Sequence, residues 1–116
     1  MSDLTFPSHY TRLDKLYAIQ LTILISITES YDYKTDTGPE GLTLSSLLKA
    51  LIDTFGFSLD EISKNANCSK MTIRNYMAGK LPQDVYAAAK RKRVKGAILK
   101  VLNKHARNLP PIEPEF

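Results

Sequence analysis

The segment from residue 8 to residue 31 carries two hydrophobic patterns at once. Apolar side chains stand at every second position from Tyr17 to Ile27, which is typical of a half-buried strand. Polar or small side chains also recur at helical spacing, on one face. They are Thr11, Lys15, Ala18, Thr22, Ser26 and Glu29. No second alternating segment follows that could pair with a strand, so we predict a helix; a strand over residues 16–28 is the alternative.

The opposite side of this predicted helix is broad and apolar. It consists of Leu13, Leu16, Tyr17, Ile23, Leu24 and Ile27. Such a side can simply pack on the rest of the domain. Because it is wide for a helix of so small a chain, we expect it also to form an interface, either with a second copy of the chain or with another protein.

A polar connector over residues 32–41, with a Gly-Pro pair inside it, separates this helix from the next. Thr43 or Ser45 then caps a helix that runs to about Phe55, where Gly56 is a stop signal. The predicted buried side of this helix is Leu44, Leu47, Leu48, Leu51, Ile52 and Phe55.

Two short helices joined by a tight turn are predicted over residues 58–80. Ser58 and Glu61 have the spacing of a capping box, in which each side chain bonds the other residue's amide. Asn67 tolerates the left-handed backbone of a sharp turn, Ser69 caps the second helix, and Gly79 closes it. The predicted inward set is Ile62, Ala66, Cys68, Ile73 and Met77.

This stretch resembles the helix-turn-helix of the lambda-repressor-like superfamily, which includes the Cro and repressor type. The resemblance covers about Leu44–Gly79 and rests on the small residue Ser63, the turn Asn67-Cys68-Ser69, the Thr72-Ile73 pair and the closing glycine. Asn67 stands where the family usually has Gly, and Leu59 where many members have Gln. The resemblance implies a small helical bundle that binds double-stranded DNA.

The outward side chains of the second short helix fit that partner chemically. Lys, Arg, Thr and Asn offer hydrogen bonds to guanine and adenine edges, and Met can contact a thymine methyl group. The predicted base contacts are Lys70, Met71, Thr72, Arg74 and Asn75. Ser69, at the start of the helix, and Lys80, just beyond it, are placed for phosphates.

Charge separates the chain into two parts. Residues 1–57 carry four basic and seven acidic residues, whereas residues 58–107 carry twelve basic and three acidic ones. A long helix is predicted from Pro82 to about His105, and its basic cluster is a second set of predicted phosphate contacts. The cluster is Lys90, Arg91, Lys92, Arg93 and Lys95. RNA or an acidic protein surface are the alternative partners of this cluster. An extended acidic tail is predicted over residues 108–116.

Several classes of function are not supported by the residues present. The two histidines stand apart from cysteine or acid at metal-ligand spacing, and no glycine-rich phosphate loop occurs, so we predict no enzyme, metal or cofactor. The single cysteine favours a reducing, cytoplasmic location, and the most apolar run is too short to span a membrane.

The prediction is therefore an all-α protein with three parts. Residues 1–37 form an N-terminal helix and connector, residues 38–107 the DNA-binding domain with a long basic C-terminal helix, and residues 108–116 the tail. The expected function is that of a dimeric, sequence-specific transcriptional regulator, most simply a repressor. The alternative is an adaptor or inhibitor of a mobile element or plasmid partition system, which uses the DNA-binding module for localisation and the N-terminal helix for a partner.

Overall fold

The computed structural model describes residues 11–80 and 84–108, and these residues fold as an all-helical structure. The helices are α1 (Arg12–Ser30), α2 (Leu44–Lys49), α3 (Leu59–Ala66), α4 (Lys70–Met77) and α5 (Ala87–Arg107). A short 3-10 turn spans Pro39–Gly41, and a π-helical turn, Ala50–Thr54, continues α2. The predicted start of the last helix at Pro82 and the predicted tail beyond residue 108 lie outside the described residues.

The N-terminal segment is a helix, so the prediction of a helix rather than a strand is confirmed. Thr11 begins it with a complete capping box: its hydroxyl accepts from the Asp14 amide at 3.1 Å, and the Asp14 carboxylate accepts from the Thr11 amide at 2.8 Å. This cap makes Arg12 the first residue of α1.

The buried face of α1 differs from the predicted apolar side. Leu21, Leu24 and Thr28 are buried, and the Thr28 hydroxyl is satisfied by the Leu24 carbonyl oxygen at 2.7 Å. Tyr17 and Ile27 pack against the core from the edge of this face. The other three residues of the predicted side, Leu13, Leu16 and Ile23, are 77%, 54% and 53% exposed. The helix therefore has two apolar faces, of which one packs against other described residues and the other is largely exposed.

The connector after α1 is tied together by one carboxylate. Asp36 has a left-handed backbone with φ of 53°, and its Oδ1 accepts from the buried Tyr31 hydroxyl at 2.7 Å and from the Leu44 amide at 2.9 Å. Asp32 and Thr37 pair their backbones in an isolated bridge. These bonds bring the end of α1 against the start of α2.

The helix predicted to run to Phe55 is α-helical in its first half and π-helical in its second. Thr43 caps α2 with a reciprocal Ser46 bond, but from residue 50 the backbone opens into the π-helical turn, which ends with the Phe55 amide on the Ala50 carbonyl at 3.0 Å. The wider turn rotates the last side chains, so Phe55 is 40% exposed and Phe57, only 7% exposed, enters the core instead. The prediction of Phe55 as a buried residue was wrong.

The last helix is the centre of the packing. Asp84 makes a turn ahead of it, accepting from the Tyr86 amide at 2.9 Å, and α5 then continues through Gly96 to Arg107. Both α1 and α3 pack on α5, while α2 packs on α4. The buried side of α5 is Val94, Ala97, Ile98, Val101 and Leu102. One core thus joins the N-terminal helix to the α3–α4 unit.

Candidate nucleic-acid interface

The unit formed by α3, its turn and α4 is fixed by local bonds that the sequence predicts. Ser58 caps α3 through the Glu61 amide at 3.1 Å, and Asn67 ends it in the left-handed region with φ of 54°. Ser69 caps α4 through the Thr72 amide, also at 3.1 Å. After α4, Gly79 has φ of 80°. These caps hold α4 at a defined angle to α3.

Only one of the two predicted bonds of the Ser58 capping box is formed, the one from the Glu61 amide to the Ser58 hydroxyl. The Glu61 side chain contacts α5 instead of the Ser58 amide. The Glu61 carboxylate lies 3.3 Å from the Lys104 ammonium and 3.9 Å from His105 Nε2, across the interface with α5. The side chain therefore joins two helices rather than closing its own cap.

The faces of α4 are close to those predicted, with one exchange. Ile73 and Tyr76 are buried, whereas Met77 is only partly buried. Tyr76 is not among the predicted inward residues, because tyrosine is intermediate between core and surface residues in its usual burial. The five predicted outward residues fall into two groups. Lys70, Met71 and Arg74 are exposed to solvent, while Thr72 and Asn75 are half-buried on one flank.

That flank of α4 faces a cleft shared with the first half of α5. The cleft has a volume of about 380 Å³. Three cations line it, Lys80 from beyond α4 and Lys90 and Arg93 from α5. The remaining lining is Ala66, Cys68, Thr72, Asn75, Tyr76 and Val94. The fold thus brings residues from separate parts of the chain into one basic, polar groove beside α4.

The basic cluster of α5 divides between two sides of the helix. Arg91 donates from Nε to the Tyr33 carbonyl at 2.7 Å and from Nη2 to the Lys34 carbonyl at 3.0 Å. Lys95 donates to the Tyr31 carbonyl at 2.6 Å and to the Glu29 carbonyl at 3.1 Å. Both side chains therefore satisfy carbonyl groups at the end of α1 and in the connector. They join α5 to the end of α1 and to the connector, so these two of the five predicted phosphate contacts lie against other parts of the fold.

Lys92 also belongs to the α1 side. Its ammonium lies 5.6 Å from the centre of the Tyr33 ring, within range of a cation–π contact. Of the five predicted residues, only Lys90 and Arg93 line the cleft with α4. The structure thus places two members of the cluster beside the predicted reading helix and three away from it.

Two exposed carboxylates partly offset the charge around α4 and the cleft. Asp60 lies 3.1 Å from Lys64 and 3.4 Å from Lys70, and hydrogen bonding to Lys64 lowers the pKa of Asp60. Asp84 lies 3.0 Å from Lys90, whose hydrogen bond lowers the pKa of Asp84. Exposed pairs such as these contribute little stability and exchange readily for another anion.

Cys68 is a packing residue at the turn. Burial raises the pKa of its thiol, against an opposing effect of Arg93, so the thiol is protonated near neutral pH. A protonated thiol is a poor nucleophile, and the side chain packs against the core from the inward set in which it was predicted.

At the other end of α5, a contact that the sequence did not predict joins α1, the segment before α3 and α5. The Tyr17 hydroxyl lies 2.9 Å from His105 Nδ1, and the Phe57 ring meets the imidazole edge-on with centroids 5.1 Å apart. Tyr17 and His105 are 88 positions apart in the chain, so no local spacing could reveal the pair. The cluster lies about 16 Å along α5 from the cleft, at about 1.5 Å per residue.

Residues 11–80 and 84–108 contain no group of three or more His, Cys, Asp or Glu side chains that could hold a metal ion. Within the same residues, no helix has the length and apolar character needed to cross a membrane. Comparison with protein-family models, curated proteins and solved structures gives no significant match.

Proposed function

We propose that the protein is a sequence-specific double-stranded DNA-binding regulator whose α3–turn–α4 unit is a helix-turn-helix. The observation that carries this proposal is the position of α4. Three of its five outward side chains are exposed, its inward side is fixed on the core, and a cleft with three cations lies along its flank. A helix of this kind fits the major groove, and the adjacent cations fit the backbone beside it.

The exposed face of α4 would read the base edges. Arg74 supplies the bidentate donors that suit guanine, and Met71 supplies an apolar contact for a thymine methyl group. Lys70 can leave its exposed Asp60 partner for a base or a phosphate. Asn75 and Thr72, on the flank, lie between the reading face and the cleft.

The phosphate contacts would come from the cleft rather than from the whole basic cluster. Lys80, Lys90 and Arg93 are drawn together from two parts of the chain, beside α4. Ser69 lies at the N-terminal end of α4, where the amide groups and the helix dipole favour a bound phosphate. Arg91, Lys92 and Lys95 are not assigned to DNA.

Occupation of a promoter is the mechanism that this arrangement serves most directly. A bound protein would exclude polymerase from the same DNA, so repression is the proposed sign of regulation. A selection of binding sites from random duplex DNA tests the proposal, because such a pool contains every short operator sequence. The expected result is enrichment of one motif, and a pool that stays random after repeated rounds would overturn sequence-specific binding.

A second experiment compares two neighbouring residues on α5, Arg93 and Lys92, to test which cations contact phosphate. Arg93→Met is expected to weaken binding to all sequences alike and to reduce the slope of log affinity against log salt by about 0.9. Lys92→Met removes an equal charge one position away, on the Tyr33 side, and should change the slope much less. Equal effects of the two substitutions, measured by fluorescence anisotropy, would contradict the assignment of the cleft.

A further inference from the structure

The second, largely exposed apolar face of α1 has a regular spacing. It comprises Leu13, Leu16, Gln20, Ile23 and Ile27, separated by three, four, three and four residues. This spacing places the five residues on one stripe of the helix, the seam. The seam borders the line through Tyr17, Leu21, Leu24 and Thr28 that packs inside the chain, and Ile27, at this border, also packs partly against the core. Three large aliphatic side chains of this seam, those at positions 13, 16 and 23, are more than half exposed.

We propose that this seam pairs antiparallel with the same seam of a second copy, about a two-fold axis at Gln20. In that arrangement Leu13 faces Ile27 of the second copy, and Leu16 lies within one residue of its Ile23. The two Gln20 amides meet at the axis, where each can donate to and accept from the other. One polar pair in the centre of an apolar seam fixes the register, because any shift would bury an unpaired amide.

Charge favours the antiparallel over the parallel arrangement. Arg12 flanks the seam at the beginning of α1, and the last turn of the helix has no basic residue. A parallel pair would place the two Arg12 side chains side by side. An antiparallel pair brings Arg12 of one helix beside the last turn of the other, where the carbonyl groups carry partial negative charge.

The self-complementarity of the seam is what selects a second copy as the occupant. Residues 13–27 extend over about 21 Å of helix, which gives an interface at the small end of the range for specific pairs. We therefore expect a dissociation constant on the order of 10 µM, so that monomer and dimer exchange with concentration. This inference does not rest on the proposed DNA binding and can be tested without DNA.

Sedimentation velocity of the full chain, from about 1 to 300 µM, tests the pairing. The wild type should shift from monomer to dimer across this range. Leu16→Glu should weaken the dimer at least tenfold while leaving the helical circular dichroism unchanged, because Leu16 is 54% exposed. Thr22→Glu adds the same charge on the exposed polar stripe of α1 and should behave as the wild type. A monomer at every concentration, or a dimer insensitive to Leu16→Glu, would overturn the proposal.

Cysteine cross-linking tests the direction of the helices. In a Cys68→Ser background, Leu13→Cys and Ile27→Cys variants are mixed and oxidised. The antiparallel seam predicts the mixed disulfide between the two variants, since these positions face each other. A parallel pair would instead join Leu13→Cys to itself, and predominance of that product would contradict the proposed axis. Tryptic digestion followed by mass spectrometry distinguishes the products, since the two cysteines lie on different peptides.

Discussion

Asn67 shows how one residue sets the angle between α3 and α4. Its φ of 54° and ψ of 49° lie in the left-handed region, which costs most residues about 1–2 kcal/mol. Asn tolerates this conformation better than residues with a larger or branched side chain, and that preference made the turn predictable from sequence. The amide after it, on Cys68, bonds the Ser63 carbonyl at 3.0 Å and completes the turn.

The change in stability on replacing Asn67 should therefore depend on how easily the new residue adopts the left-handed backbone, and not on its size. Asn67→Ala is expected to lower the free energy of unfolding by about 1–2 kcal/mol, because Ala has no compensation for the positive φ. Asn67→Gly should stay within about 0.5 kcal/mol of the wild type, since Gly adopts this region freely. Urea denaturation followed by circular dichroism measures both. Equal losses for Ala and Gly would mean that the Asn side chain, not the backbone, stabilises the turn.

Tyr31 gives the protein a specific sensitivity to alkaline pH. Burial, reinforced by the hydrogen bond to Asp36, raises the pKa of Tyr31 far above its usual value. A raised pKa means that the folded state holds the proton more tightly than the unfolded chain does. The stabilisation is therefore complete below the usual tyrosine pKa of about 10 and is lost as the pH rises from there toward the folded value.

The Tyr31→Phe variant should be less stable than the wild type at pH 8, and this difference should narrow as the pH approaches 11. Thermal unfolding at a series of pH values measures the narrowing. Tyr33→Phe is the matched control, because it removes a hydroxyl from a half-buried ring two residues away and should follow the wild type. A constant difference between Tyr31→Phe and the wild type across this range would contradict the assigned role of the hydroxyl.

Helix α5 illustrates how one element can carry two kinds of basic residue. Lys95 and Arg91 donate to carbonyl groups around the end of α1, whereas Lys90 and Arg93 line the cleft beside α4. The sequence predicts this helix, since its apolar residues follow helical spacing. It does not distinguish the two groups of cations, because that depends on which helices pack on either side.

Because Lys95 and Arg93 lie on different sides of α5, we expect their replacement by Met to change the free energy of unfolding by different amounts. Lys95→Met keeps the aliphatic stem but removes two charge-assisted hydrogen bonds, so it should lower the free energy of unfolding by about 1–2 kcal/mol. Arg93→Met, on the exposed side, should change it by less than about 0.5 kcal/mol. Urea denaturation of both variants provides the comparison. If Arg93→Met proved the more destabilising of the two, the roles assigned to the two sides of α5 would be reversed.

The whole molecule is held by contacts between distant parts of the chain. Local signals were enough to predict the caps at Ser58 and Ser69, and to restrict the cap of α2 to Thr43 or Ser45, and with them the order of the helices. They could not predict the π-helical turn after α2, which exchanged Phe55 for Phe57 in the core. Nor could they show which of the two apolar faces of α1 would pack on α5. These features depend on tertiary packing, which overrides local propensity.

The shared core predicts that residues 38–116 do not fold on their own. Removal of α1 would take Leu21, Leu24 and Tyr31 out of the core and uncover the side of α5 on which α1 packs. The fragment should therefore lose cooperative unfolding, because deletion of several buried side chains exceeds the stability of a small domain. Urea titration with circular dichroism tests this. A sharp transition of the fragment, close to that of the full chain, would show that the two parts are independent.

The attachment of α1 to α5 has a geometric consequence. Arg91, Lys95 and the Tyr17–His105 contact fix α1 along the same helix that forms one wall of the cleft, with no free linker between them. In the proposed dimer, the distance between the two reading helices would be set by this rigid joint. The protein would then bind two half-sites at one fixed spacing only. One added base pair between them would put the second half-site out of reach.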